Sequence, residues 1–486
     1  MTSTASDSST ELAPSDAADI VWASAADLVG WVHEGRVSVA HVAEVMIDRI
    51  DAVNPTINAV VHLDVDRIRR DARALDAKRA AGGPVGALHG VPYTVKELTP
   101  VAGVPHTLGF ELLKDNVAQQ DALLVARMKA ADALYLGQTN TPEAGYCATT
   151  TNRLFGATRN PWNPRLTAGG SSGGAGSAVA AGIGPIAEGT DAGGSIRVPA
   201  ALNGVVGFKP TTGAIPQTLL PQRFVTHLSH GVMGRSVSDV ARMLEVCVGY
   251  DPRDPLAQQV VTTPPTLGSA GALTGWSIAY SPDLGFADVD EEVAVICREA
   301  VRVFAELGAH VVEARPDWEE VDEAMWTGLW VPGLAGLRDL LDWPARRGRL
   351  DDELIDLVLL GDTLSAADIA RGEALRGGVW DAFASFMSTH RLLVSPTTST
   401  AAFSADAFAP DSLASGSLRE RLLGWTLTHP FNMTSSPAIS VPCGVTHDGR
   451  PVGLQIAGRL HADADVLVAA AAFEVARPWQ DRRPVL

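Results

Sequence analysis

Two glycine-serine clusters and one lysine carry the chemistry this sequence could do. The first cluster is Gly169-Gly170-Ser171-Ser172-Gly173-Gly174, the second is Asp191-Ala192-Gly193-Gly194-Ser195, and a run of small residues joins them. Glycine is used where backbone takes unusual dihedrals or comes close to another group, so the clusters imply two tight loops meeting at one point. Each contains a serine, the outline of a nucleophile beside an oxyanion site. A serine hydroxyl is a poor nucleophile at neutral pH and needs a base within hydrogen-bond reach. Lys96, inside the apolar run Val91-Pro-Tyr-Thr-Val-Lys-Glu-Leu98, could be that base, because burial favours the neutral amine. Taken alone, it also fits a lysine that snorkels to the surface.

Three chemistries compete for the glycines. A phosphate loop fits poorly: no Lys-Ser/Thr follows the clusters, and no Gly-x-Gly-x-x-Gly opens a helix after a strand. A nucleophile elbow matches formally at Gly170-Ser171-Ser172-Gly173-Gly174 with Ser172 reacting, and His429 or His447 could be its base. That motif needs a strand directly before it, whereas Asn160-Pro-Trp-Asn-Pro-Arg165 reads as a rigid turn. The third reading uses Lys96 and both clusters. A second serine relays the proton, and the N-H groups of Ala192, Gly193, Gly194 and Ser195 stabilise the oxyanion.

The elements that must position these residues follow from periodicity. Residues 25–50 read as two amphipathic helices broken near Gly35, and Asp64–Ala81 as a charged helix. Strands are expected around Lys96, at 134–136 and at 203–210, with a polar loop carrying Asn140 and Glu143 after the second. Thr211–Gly234 reads as one long irregular stretch, the kind used for lids and binding loops. Strand, helix and strand over 276–313 indicate parallel pairing with helices on the faces. Residues 316–390 read as a tryptophan-rich helical insertion, and further strands are expected at 391–396, 438–442 and 451–456. No repeat or linker divides the chain, so one α/β domain over 20–486 is expected, after a disordered tail at 1–19.

Composition narrows the function classes. A formal charge of -18 argues against nucleic acid or an anionic membrane as partner, since phosphate binding needs a basic surface. Cys147, Cys247, Cys297 and Cys443 lie far apart with no CxxC pair, so neither a zinc site nor a disulfide framework is indicated, and a cytoplasmic location is expected. The N-terminus has neither the basic nor the apolar region of a signal peptide.

The ordered motifs resemble the amidase signature family of serine hydrolases. The matching segments are Gly90–Glu97, Gly137–Glu143, Phe155–Asn163, Gly169–Gly174, Gly189–Ala200, Gly207–Thr211 and Asn432–Gln455, which cover nearly the whole chain. The resemblance implies a single large domain with a central mixed, mostly parallel twisted β-sheet covered by helices on both faces. It implies Lys96 as base, Ser171 as relay on a cis peptide bond and Ser195 as nucleophile, with no metal or cofactor. Asp191 and Arg197 are expected to hold the nucleophile loop, and Thr190, Ser172 and Ser177 to make structural hydrogen bonds. The implied activity is hydrolysis of a small apolar or aryl amide, with carbamates and amide oligomers as further substrate types, by a stand-alone chain or a homodimer. An amidotransferase subunit working with a glutaminase-type partner is the alternative within the family. Tyr146, Cys147 and Phe224 are the candidate pocket residues.

Overall fold

The computed structural model describes residues 17–218, 222–258, 273–340 and 343–486. Most of the tail expected at 1–19 lies outside these residues, and the described chain begins in the helix Ala17–Trp22. From sequence, Asp251-Pro-Arg-Asp-Pro255 and the polar run that follows to Gly271 read as a surface excursion; after residue 258 this run lies outside the described residues.

Among the described residues, eleven strands form the main sheet. In chain order they begin with β1 (Val60–His62), β2 (Pro92–Lys96) and β3 (Leu134–Thr139). A separate two-stranded ribbon, β4 (Arg159–Asn160) and β5 (Asn163–Thr167), comes next. The sheet resumes with β6 (Ile186–Asp191), β7 (Val206–Lys209), β8 (Ser229–Gly234), β9 (Ser277–Tyr280) and β10 (His310–Glu313). It closes with β11 (Leu392–Pro396), β12 (Ala438–Val445) and β13 (Pro451–Gly458). Across the sheet the order is β1-β3-β2-β6-β8-β7-β12-β13-β11-β9-β10.

The sheet is mixed, but it is not mostly parallel as expected. Parallel ladders join β3, β2 and β6 on one flank and β11, β9 and β10 on the other. Every ladder from β6 through β8, β7, β12 and β13 to β11 is antiparallel. The short hairpin joining β12 to β13 imposes the antiparallel pairing there, and β8 lies antiparallel between β6 and β7. The stretch expected to be irregular over 211–234 therefore ends in a strand.

Helices cover both faces. On β13, a Cβ at Gly453 would fall 2.5 Å from Cβ of Ala201 in the helix Arg197–Asn203, while one at Gly458 would fall 2.8 Å from Val466 in the helix Asp463–Ala476. Residues five apart on a strand point to opposite sides, so these two helices lie on opposite faces. On β7, beyond β12, a Cβ at Gly207 would come within 2.5 Å of Ala200. The helix that follows Ser195 is thus seated directly on backbone, and any side chain at these positions would lift it.

The tryptophan-rich region is helical at Val321–Met325, in a π-turn at Trp326–Trp330, and at Val331–Ala335, Asp352–Leu360 and Ala366–Met387. It builds a second apolar cluster around Trp318, Met325, Leu354, Phe383 and Phe431, separate from the core under the main sheet. Among the described residues no helix is long and apolar enough to cross a membrane.

Candidate active site

Lys96 ends β2 at a position with no solvent exposure. Its Nζ lies 2.7 Å from Ser171 Oγ and 2.9 Å from Thr190 Oγ1, and donates to both. Burial lowers the lysine to about 7, against the opposing pull of Glu188 and Asp191. A substantial fraction of neutral amine therefore exists at neutral pH.

Ser171 stands on a cis peptide bond from Gly170, ahead of the helix Gly173–Ala180. Its neighbour Ser172 points elsewhere: the hydroxyl is fully buried and donates to the carbonyl of Thr190 at 3.2 Å. Ser172 N-H in turn donates to the carbonyl of Ser195 at 3.1 Å, which staples the two serine loops together. Neither histidine offered by the elbow reading contacts Ser172. His429 lies 2.9 Å from Asp322 and against the ring of Phe286, and His447 is exposed beside Glu292. Ser177 donates to the carbonyl of Arg159. The segment before the cluster is not only a turn, since β4 and β5 pair about Pro161-Trp162; the ribbon nonetheless stands outside the main sheet from which an elbow would rise.

The loop after β6 carries Ser195, which is 7% exposed, the small opening a nucleophile needs. Asp191 organises this loop. Its carboxylate accepts from Gly194 N-H at 2.7 Å and Ile196 N-H at 3.2 Å, and Arg197 grips both of its oxygens. Burial alone would raise the Asp191 carboxyl, but the Arg197 guanidinium overcomes this and holds it well below the usual range. Arg197 also donates to Thr428 O, Gln455 Oε1 and Asn432 Oδ1, so its charge is fully satisfied without water. Of the N-H groups of Ala192, Gly193, Gly194 and Ser195 expected at an oxyanion site, that of Gly194 is committed to Asp191 instead.

Of the expected pocket residues, the structure places two near the serines and one away. Tyr146 and Cys147 follow the turn Glu143–Gly145, where a Cβ at Gly145 would sit 3.2 Å from Ser171 Oγ. Tyr146 is buried, stacks on Phe408 and donates to Asp351. Burial pushes the Cys147 thiol up to about 12, so it is an inert apolar neighbour. Phe224 is 75% exposed. Its aromatic character suggested a pocket, but its side chain stands largely in solvent.

Sequence reasoning passed over several residues that pack on the loops. A Cβ at Gly193 would meet the Trp330 ring at 3.2 Å and the Met325 methyl at 3.5 Å, so the helical insertion roofs the loop bearing Ser195. The indole N-H of Trp330 is buried without a partner among the described residues. Thr428 fixes the Gly193 carbonyl with a 2.5 Å hydrogen bond. Thr190, expected to be only structural, touches the lysine directly. Glu188, Thr99 and His230 form a polar cluster behind it, and the carboxylate inside the strand Ile186-Ala-Glu-Gly-Thr-Asp191 was the visible signal.

Comparison with known proteins agrees with this geometry. The sequence profile of the amidase family, described as Amidase, matches residues 41–467. The chain is 49% identical over 463 residues to an acylamidase of Rhodococcus erythropolis, covering 95% of this chain and 97% of the relative. A bacterial aryl acylamidase of the amidase signature family superposes with a TM-score of 0.88 at 35% identity, covering 95% of this chain and 97% of that one. A 6-aminohexanoate cyclic dimer hydrolase gives 0.84 at 30% identity, over 96% and 99% of the two chains. Profile, sequence and fold agree along nearly the full length, and the chain belongs to the amidase signature family of hydrolases, which act on the carbon-nitrogen bonds of amides.

Proposed function

We propose that the protein hydrolyses small apolar or aryl carboxamides through an acyl-enzyme on Ser195, with Lys96 as base and Ser171 as proton relay. The observation that carries this reading is the 2.7 Å contact between Lys96 Nζ and Ser171 Oγ, made by a lysine lowered to about 7. The Ser195 hydroxyl proton passes to Ser171 as Ser171 passes its own to neutral Lys96, and Ser195 Oγ bonds to the amide carbon. The negative charge on the former carbonyl oxygen is met by N-H groups of Ala192, Gly193 and Ser195. The lysine proton then returns through Ser171 to the leaving nitrogen, the C-N bond breaks, and an amine departs. Water, deprotonated through the same relay, attacks the ester and releases the carboxylic acid and free Ser195.

An apolar or aryl substrate fits the roof of Trp330 and Met325 over Gly193, and the names of the acylamidase relative and the aryl acylamidase neighbour point the same way. Anilides are therefore the first substrates to assay, with carbamates and amide oligomers as comparators. The reading takes the enzyme to work without a second kind of subunit and, on four free cysteines, in the cytoplasm.

The test is covalent labelling with a fluorophosphonate followed by peptide mass spectrometry. Modification of Ser195 that is lost in Lys96→Ala and Ser171→Ala supports the reading. Modification of Ser172, or none, overturns it.

A further inference from the structure

Immediately beside the lysine lies a buried acid-imidazole pair that the hydrolytic scheme leaves unused. Glu188, on β6, is fully buried and accepts three hydrogen bonds. Lys96 N-H donates to its Oε2 at 3.0 Å, and Thr99 Oγ1 donates to its Oε1 at 2.9 Å. His230 Nδ1, on β8, lies 2.7 Å from the same Oε1. His230 is 2% exposed and sits directly across the β6–β8 ladder from Thr190, whose hydroxyl contacts Lys96 Nζ. Glu188 and Thr190 are two apart on one strand and so share a face. Three neighbouring strands thus converge on one lysine, β2 carrying it and β6 and β8 closing round it.

A carboxylate in such a place is expensive unless its lone pairs are satisfied. Here they are satisfied, and one of the donors is the main chain of the proposed base itself. Its charge acts on the lysine: burial favours the neutral amine, while Glu188 and then Asp191 favour the ammonium. Other titratable groups face the pair. Cys147 faces Lys96 from the loop after β3, and Cys247 faces Glu188 from the helix Val237–Cys247. Both thiols are held neutral by burial, Cys147 up to about 12 and Cys247 higher still.

We infer that Glu188 and His230 are a positioning pair for Lys96, fixing its main chain at the end of β2 and holding a carboxylate beside its amine. The inference rests on Lys96 serving as base. His230 donates to the carboxylate and fixes it in place; Glu188 then strengthens Lys96 as a base, so that the amine takes the relayed proton and holds it until the leaving nitrogen collects it. Without the pair, the lysine would be a weaker base.

The test is the rate of fluorophosphonate labelling of the full-length protein from pH 5 to pH 9, which needs no knowledge of the natural substrate. In the wild type the rate rises with pH as Lys96 loses its proton. In Glu188→Gln the midpoint moves toward acid by about half a pH unit or more, since a negative charge that favoured the ammonium is gone. Glu188→Asp, which keeps the charge, returns it toward the wild-type value. In His230→Leu the carboxylate loses the donor that fixes its Oε1 and is less well placed beside the lysine, so the midpoint moves the same way; this variant carries the test should Glu188→Gln fail to fold. A uniformly lower rate with an unmoved midpoint in both would make the pair merely structural and overturn the inference, while Lys96→Ala stayed unlabelled. Labelling of Lys96→Ala at the wild-type rate would overturn the base reading itself, and this inference with it.

Discussion

Arg197 holds both carboxylate oxygens of Asp191, with Nε at 3.0 Å and Nη2 at 2.9 Å, and neither residue has any solvent exposure. The loop bearing Ser195 is therefore moored by a buried ion pair whose loss would leave an uncompensated guanidinium. Asp191→Asn is expected to destabilise the protein by about 3 kcal/mol or more, read by urea unfolding at pH 7. The acid dependence has a definite sign. The carboxyl is lowered from 3.8 in the folded chain, so its contribution is fully present above that value and is lost as pH falls below it. The stability gap between wild type and Asp191→Asn should narrow as the pH is lowered from 5 to 3. A gap that stays constant would refute this account.

Burying Lys96 costs stability in the opposite pH range. Its folded value is lowered from 10.5 to about 7, so the penalty is fully present below 7 and is relieved as pH rises toward 10.5. Lys96→Met, close in volume and uncharged, should be more stable than the wild type at pH 6.5, and the difference should shrink by pH 9. Paired urea titrations at the two pH values check it, and a difference that grows with pH would contradict the burial argument.

Gly193→Ala should disturb the roof of the site. The new methyl would meet the Trp330 ring at 3.2 Å and the Met325 methyl at 3.5 Å, both parts of the insertion. Labelling of Ser195 should slow by about tenfold through misplacement of the loop. Adding Trp330→Leu to Gly193→Ala should recover part of that rate, and no recovery would show that the strain lies elsewhere.

Glu143 gives a separate pH signature. Its Oε2 accepts from Asp351 N-H at 2.9 Å, at the foot of the helix Asp352–Leu360, and burial raises it from 4.5 to about 7. A raised carboxyl contributes stability that is fully present below 4.5 and lost as pH rises through 7. Glu143→Gln should remove that loss, so its melting temperature should exceed that of the wild type at pH 8 and approach it at pH 5. Equal melting temperatures at pH 8 would refute the assignment.

The reach of the sequence can be judged residue by residue. The meeting of Lys96 with the two serine loops was legible because glycine clusters mark backbone contortion and because the lysine interrupts an apolar strand. The direction of the ladders was not legible. It depends on where the chain goes between β7 and β8, and the run Ser229–Gly234 has too little alternation to announce itself as a strand. Glu188 was visible as a carboxylate in a buried strand, but its partner His230 lies 42 residues onward and is found only through the ladder. Phe224 misled because an aromatic residue in a long loop fits a pocket wall and an exposed tip equally well. The commitment of Gly194 N-H to Asp191 is likewise a matter of local geometry that residue types do not encode.

Arg197 draws its hydrogen bonds from across the chain, and one of its acceptors, Gln455, is 258 positions further on. This bears on the order in which the molecule can be made. At about 10 residues per second on the ribosome, roughly half a minute separates the two. During that interval Ser195 has emerged, yet the guanidinium beneath its loop lacks Thr428, Asn432 and Gln455, so burying it remains unfavourable. The loop bearing Ser195 thus gains its last moorings only once the final strands are synthesised, and its ordering is a late event timed by translation.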